Sequence, residues 1–134
     1  MSFTYVQRTG HFYHMADGQT QDTWTGYSGA VVGGGKNNPA KQQIEDVGPI
    51  PVGEYTISPK QNFPDLNLVD AMRLTPAPGN QMFGRSGFLI HGDSTAHPGE
   101  ASHGCIILGR NDRMRVATLV DQDEVGLTVV AEEP

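Results

Sequence analysis

The residues most able to do chemistry are crowded into one segment, FLIHGDSTAHPGEASHGCIIL from Phe88 to Leu108, where His91, His97, His103 and the chain's single cysteine, Cys105, fall within fifteen residues. A neutral thiol is only a few per cent ionised at pH 7, so a nucleophilic cysteine needs a base within hydrogen-bond reach. His91 and His103 are the candidates. Gly104 has no side chain to hold the backbone away from a reacting group, so the Gly104 and Cys105 amides are placed to receive the oxygen of an attacked carbonyl. These are the parts of an acyl-transfer site. On that reading Cys105 alkylates faster than a free thiol below pH 8, with a pH profile shaped by His91.

Two other readings stand beside it. A lone cysteine followed by Ile106, Ile107 and Leu108 also fits a core residue at the end of a strand, because free cysteine is among the most buried residue types. His91, His97, His103 and Cys105 also carry nitrogen and sulfur ligands for zinc, although their spacing matches no standard zinc pattern. What favours function is the polar excursion between His91 and Cys105, with Asp93, His97, Glu100 and His103, since polar loops that close on themselves are where functional groups sit. His97, followed by Pro98, reads as a loop residue, and His11 and His14 as surface histidines on opposite faces of a strand.

Two further segments fail their tests. The glycine run from Gly29 to Asn37 has neither the glycine spacing nor the Ser or Thr of a phosphate loop, and is read as a turn. Gly84 to Gly87 lacks the Gly-x-Ser-x-Gly spacing of a nucleophile elbow, which makes Ser86 a hairpin residue.

The elements that must position these groups are short runs rich in Val, Ile, Thr, Tyr and Phe, punctuated by Gly, Pro, Asn and Asp, a mostly β pattern. The predicted strands are Phe3 to Arg8, Gly10 to Met15, Trp24 to Val32, Gly53 to Pro59, Met72 to Thr75, Phe88 to His91 and Gly126 to Ala131. One helix is expected, capped by Asn111, with Val116, Leu119 and Val120 on one face. A shorter helical turn is expected within Pro39 to Asp46. A meander or sandwich over one domain, residues 1–134, follows.

Composition narrows the function classes. At 134 residues the chain should bury about two thirds of its unfolded surface, enough for a core without staples. Fifteen acidic against nine basic residues, a net charge of −6, argue against a nucleic-acid or polybasic membrane partner. No apolar run reaches the roughly 20 residues of a membrane span. One cysteine excludes an internal disulfide framework. The N-terminal residues lack the pattern of a secretory signal, so the chain as given is expected to start in the cytosol, as a monomer.

His-Gly at 91–92 followed by Ser-His-Gly-Cys at 102–105 resembles the motif of the L,D-transpeptidase catalytic domain. Upstream, GPIPVGEYTI from Gly48 to Ile57 resembles that family's Pro-x-Gly-x-Tyr/Phe-x-Ile element. Downstream, Asn111 to Val120 and Val125 to Val130 resemble its helix and closing strand. The order from Ser28 to Pro51 and the short length resemble more narrowly the L,D-transpeptidase-like effectors of type VI secretion systems, over about residues 24–131.

The resemblance implies an L,D-transpeptidase-like β-sandwich with one or two short helices. It implies Cys105 as nucleophile, His91 as its base, the Gly92 carbonyl or a neighbouring group orienting the imidazole, Ser102 and His103 shaping and polarising the pocket, and the Gly104 and Cys105 amides holding the oxyanion. It further implies peptidoglycan stem peptides as substrate, cut or exchanged at the terminal D-residue through a thioester. Action in the periplasm of a target bacterium, a secretion-spike carrier and an immunity protein complete what it implies. No metal or cofactor enters this chemistry, because the cysteine itself divides acyl transfer into two steps. Ile107 stands where many cell-wall members carry Arg or Asn, which leaves Arg110, favoured, or Arg85 to bind the substrate carboxylate. A binding module that keeps the fold without catalysis is the alternative.

Overall fold

Alternation of inward and outward side chains builds the N-terminal strands of the computed structural model, which describes residues 2–134. In β1 (Ser2–Val6) and β2 (His11–Ala16), Phe3, Tyr5, Phe12 and His14 turn to the buried face. Phe3 meets His14 in the antiparallel register, and Tyr5 meets Phe12. Strand β3 (Gln19–Thr25) completes this hairpin ribbon.

The remaining strands are β4 (Tyr27–Ser28), β5 (Gly53–Ile57), β6 (Gln61–Phe63), β7 (Leu68–Pro76), β8 (Leu89–His91), β9 (Ile106–Ile107) and β10 (Gly126–Val130). They follow the order β3-β2-β1-β10-β5-β7-β8-β9-β4, with β6 on β7. Strand β7 is the shared element, pairing through Leu74–Pro76 with β5 and through Met72 and Arg73 with β8. One core cluster joins residues of β1, β2, β5, β7, β8, β9 and β10 with the inner face of helix α1 (Arg110–Asp121). Val116, Leu119 and Val120 lie on that face, as their spacing predicts. Among the described residues no helix is long and apolar enough to cross a membrane.

Three expectations are corrected. The strand expected from Trp24 to Val32 breaks at Gly26, whose backbone lies so close to β9 that a Cβ there would sit 1.9 Å from the Ile107 carbonyl oxygen. Residues 31–34 then form the turn expected of the glycine run. Helix α1 starts one residue before Asn111 and is capped by Gly109, whose carbonyl accepts from the Arg113 amide at 2.8 Å. The chain turns directly from β9 into the helix, so Asn111 falls inside the first turn. The helical turn expected within Pro39 to Asp46 forms as a 3-10 turn, Pro39–Lys41, capped by Asn38. Finally, His14 is buried rather than superficial, its Nε2 lying 2.7 Å from Glu124 Oε1. His11, on the opposite face as expected, pairs with Glu133 near the C-terminus.

Candidate active site

Strand β8 delivers His91 and then leaves the sheet as the loop that returns at Cys105. Strands β8 and β9 are parallel, with Ile90 opposite Ile106 and His91 opposite Ile107. Continuing that register by one residue brings Cys105 level with Leu89, on the same face as His91, because opposite residues share a face and alternate residues repeat it. His91 is buried, and its Nδ1 lies 2.8 Å from the Gly92 carbonyl oxygen. A carbonyl only accepts, so Nδ1 carries the proton and Nε2 is left with its lone pair. The Gly92 carbonyl, expected to orient the imidazole, is in contact with it.

The Cys105 turn is held by backbone bonds to two buried serines and one arginine. Ser102 Oγ donates to the Cys105 carbonyl at 2.7 Å and accepts from the amides of Gly104 at 3.0 Å and Gly29 at 2.9 Å. Ser28 Oγ donates to the Gly104 carbonyl at 2.8 Å and accepts from the Ile50 amide at 2.9 Å. Arg85 Nη1 donates to the carbonyls of Gln42 and Pro49, and Nη2 to those of Gly48 and His103. Two expectations change accordingly. The Gly104 amide, expected to receive an oxyanion, already donates to Ser102. Ser102 shapes the turn through the backbone rather than polarising a ligand.

Two depressions border these residues. One, of about 150 Å³, is lined by Cys105, Gly104, His103, Arg85, Glu45 and Asp46. The other, of about 510 Å³, is lined by His91, Gly92, Asp93, His97 and Glu100. Cys105 thus lines one depression and His91 the other, and the thiol's hydrogen-bond acceptor is the Gly87 carbonyl at 3.9 Å. His97 lines the second depression with His91, and His103 the first with Cys105. Among the described residues no three His, Cys, Asp or Glu side chains are grouped to hold a metal ion.

Neither arginine meets the expectation of a free carboxylate clamp. Arg110 lies outside both linings and is paired with Asp70 at 3.0 Å, because β7 places that carboxylate beside the first turn of α1. Arg85 does line the cysteine side, but its terminal nitrogens are committed to four carbonyls.

The loop between His91 and Cys105 is anchored by residues the motif did not point to. Asp93 Oδ1 accepts from Tyr27 Oη at 2.6 Å and from the Ser94 amide at 2.8 Å. Tyr27 Oη in turn accepts from the Ala101 amide at 2.9 Å. Lys36 lies over the Tyr27 ring and donates to the Gly99 carbonyl at 2.9 Å. Burial and the bond to Asp93 push the Tyr27 phenol up to about 12, so it stays a donor at neutral pH.

Burial also governs both candidate reacting groups. It pushes the His91 imidazole below its ordinary 6.5, helped by the charge of Arg113 and opposed by the bond to Gly92. It pushes the Cys105 thiol above its ordinary 9.0, against the pull of the Leu89 backbone and of Arg85. The resting pair is a neutral thiol and a neutral imidazole. The sequence-based expectation of fast alkylation below pH 8 is replaced. Iodoacetamide should modify Cys105 more slowly than a free thiol at pH 7.5, with the midpoint of its pH profile above 9. A pH profile with its midpoint at or below 8 would contradict this.

Residues 22–131 match the family model of the Tlde1 domain. The fold is similar to that of the helical cell shape determining protein Pgp2 from Campylobacter jejuni, with a TM-score of 0.64 at 19% identity over 98% of this chain and 48% of that one. It is similar to an L,D-transpeptidase (Yku) from Stackebrandtia nassauensis, with a TM-score of 0.60 at 14% identity over 99% and 56%. An L,D-transpeptidase from Mycobacterium smegmatis gives 0.57 at 18% over 96% and 58%. The chain spans about half the length of these structures, and at these identities the likeness is one of fold. That fold is the mostly β, L,D-transpeptidase-like one expected from the motif. No curated protein matches the chain.

Proposed function

The chain belongs to the Tlde1 domain family, and from that premise we propose that it is a cysteine enzyme acting on peptidoglycan stem peptides, as an L,D-carboxypeptidase, an L,D-transpeptidase or both. The observation that carries the reading is the His91 imidazole fixed by the Gly92 carbonyl at 2.8 Å, on the strand paired in parallel with the one that follows Cys105. That contact selects the tautomer a general base needs.

Because both groups rest neutral, the proton moves as the bond forms. Cys105 Sγ attacks the carbonyl preceding the terminal D-residue while its proton passes to His91 Nε2. The carbonyl oxygen gains the negative charge and is held by the Cys105 amide. Collapse breaks the C–N bond, His91 returns the proton to the departing amine, and a thioester remains. Water, giving up a proton to His91, completes hydrolysis; an amine in its place completes exchange or cross-linking. His103, exposed beside Cys105, borders the substrate. Family membership supports delivery by a type VI secretion system to the periplasm of a target bacterium, on a spike component, with an immunity protein in the producer.

The test is mass spectrometry of tetrapeptide and pentapeptide stems incubated with the protein or with Cys105→Ala, with and without an added D-amino acid. Loss of the terminal D-residue from the tetrapeptide alone, absent in the variant, is the expected result, and an adduct with the added amino acid identifies exchange. Unchanged stems in every arm would leave a binding module on the same fold.

A further inference from the structure

Arg85 is a buried cation that makes no ion pair. Its residue is 6% exposed, and no carboxylate lies within salt-bridging distance among the described residues. Taking a guanidinium out of water costs several kcal/mol unless its donors are met. Here they are met by main-chain oxygens: Gln42 at 2.6 Å, Pro49 at 2.8 Å, Gly48 at 2.9 Å and His103 at 3.2 Å. These acceptors belong to two segments far apart in sequence, the 42–49 loop and the Cys105 turn, and Arg85 itself sits on a third. The guanidinium also lies over the Phe88 ring, 5.1 Å from its centroid, and a Cβ on Gly104 would come within 2.6 Å of Nη2. The turn is moulded against the guanidinium.

Carbonyl dipoles satisfy the donors but leave the unit charge in place, within the wall of the depression that holds Cys105. We propose that Arg85 is a positioning residue of this site, whose forked contacts set the Ser102–Cys105 turn and whose uncompensated charge favours the anion that develops at Cys105. The proposal rests on the reading of Cys105 as nucleophile, and it gives Arg85 a different task from gripping a substrate carboxylate. The charged or titratable groups facing the thiol in that depression are Arg85, His103, Glu45 and Asp46. The last two, of opposite charge, oppose Arg85.

The test separates charge from fork. Cys105 alkylation is followed against pH in the full chain, with kcat and KM on tetrapeptide stem measured in parallel. Arg85→Met removes both properties and should raise the alkylation midpoint by about one pH unit. Arg85→Lys keeps the charge without the fork, so the midpoint should return towards that of the parent. Its kcat should still fall about 100-fold, the scale of a misplacement near 1 Å, with KM little changed. Glu45→Gln with Asp46→Asn leaves Arg85 untouched and should lower the midpoint, which keeps the charge argument testable even where Arg85→Met does not fold.

A midpoint unmoved in Arg85→Met, or unmoved in the double carboxylate variant, would overturn the charge role. A parental kcat in Arg85→Lys would overturn the positioning role, and a change confined to KM would return Arg85 to substrate binding. The alkylation arm needs no substrate. A protein inert towards stems whose midpoint still shifts would therefore overturn the proposed function while leaving the electrostatic pairing standing.

Discussion

Replacing His91 with alanine is expected to lower kcat on tetrapeptide stems by about 10²–10⁴-fold, the usual worth of a positioned general base. The double variant with Cys105→Ala is expected to be no slower than Cys105→Ala alone, since groups that act as one unit are not additive when removed. This cycle addresses the feature of the site that most needs explaining. His91 and Cys105 share a face of the β8–β9 pair yet open on different depressions, and the thiol faces the Gly87 carbonyl. Hydrogen bonds of catalytic groups are often unmade before substrate arrives, and a single side-chain rotation is enough to redirect a thiol. Independent, additive losses in the two single variants would show that the two residues do not cooperate.

The same pair sets the acid side of the pH profile. The His91 value is lowered, so the base remains neutral down to a pH below 6.5 and kcat/KM should hold constant until then. The linked effect on stability has a fixed sign. As pH falls through 6.5 the unfolded chain takes up a proton at His91 before the folded one does, so stability declines in that window. At the other end, a raised Cys105 value means that the unfolded chain gives up its proton first, and stability declines as pH rises past 9.0.

The candidate reactive groups are legible because their chemistry lies in one contiguous segment. His91, Gly92, Ser102, His103, Gly104 and Cys105 are separated by a single loop, and the polar composition of that loop marks it as an excursion between two strands. Long periodic elements were legible for the same local reason, as with the apolar face of α1.

The supports of the site were not legible, because each is a side chain bound to a distant main chain. Ser28 reaches Gly104 across 76 positions, Tyr27 reaches Ala101 across 74 and Arg85 reaches Gln42 across 43. Nothing in the local spacing of a serine or tyrosine encodes such a partner. The partners of Arg85 and Arg110 are hidden in the same way. A sequence shows that a guanidinium is present but not that Asp70, or four carbonyls, already hold it. Strands of two or three residues, β4, β6 and β9, were lost or merged because alternation needs more positions to register. The buried His14 was misread because its partner Glu124 comes from the turn beyond α1, 110 residues away.

Gly104→Ala should produce the largest structural effect at the site. Gly104 has φ +140°, a region in which an L side chain is strained, at a cost of about 1–2 kcal/mol. The added methyl would also sit 2.6 Å from Arg85 Nη2 and 2.8 Å from Phe88 Cε1. Neither neighbour is free to retreat. Arg85 is tied to carbonyls on two segments, and Phe88 is part of the core. Overpacking of this kind costs about 1–3 kcal/mol. Together the two effects amount to roughly 3 kcal/mol, which for a domain of this size lowers Tm by about 10 °C. Relief by displacing the turn would break the Ser102 and Ser28 bonds to Gly104 and shift Cys105 away from the face it shares with His91. Thermal melting and stem turnover should therefore fall together. A variant that melts within about 2 °C of the parent and turns over stems normally would show that the turn has room, and that the contact between Gly104 and Arg85 does not constrain Cys105.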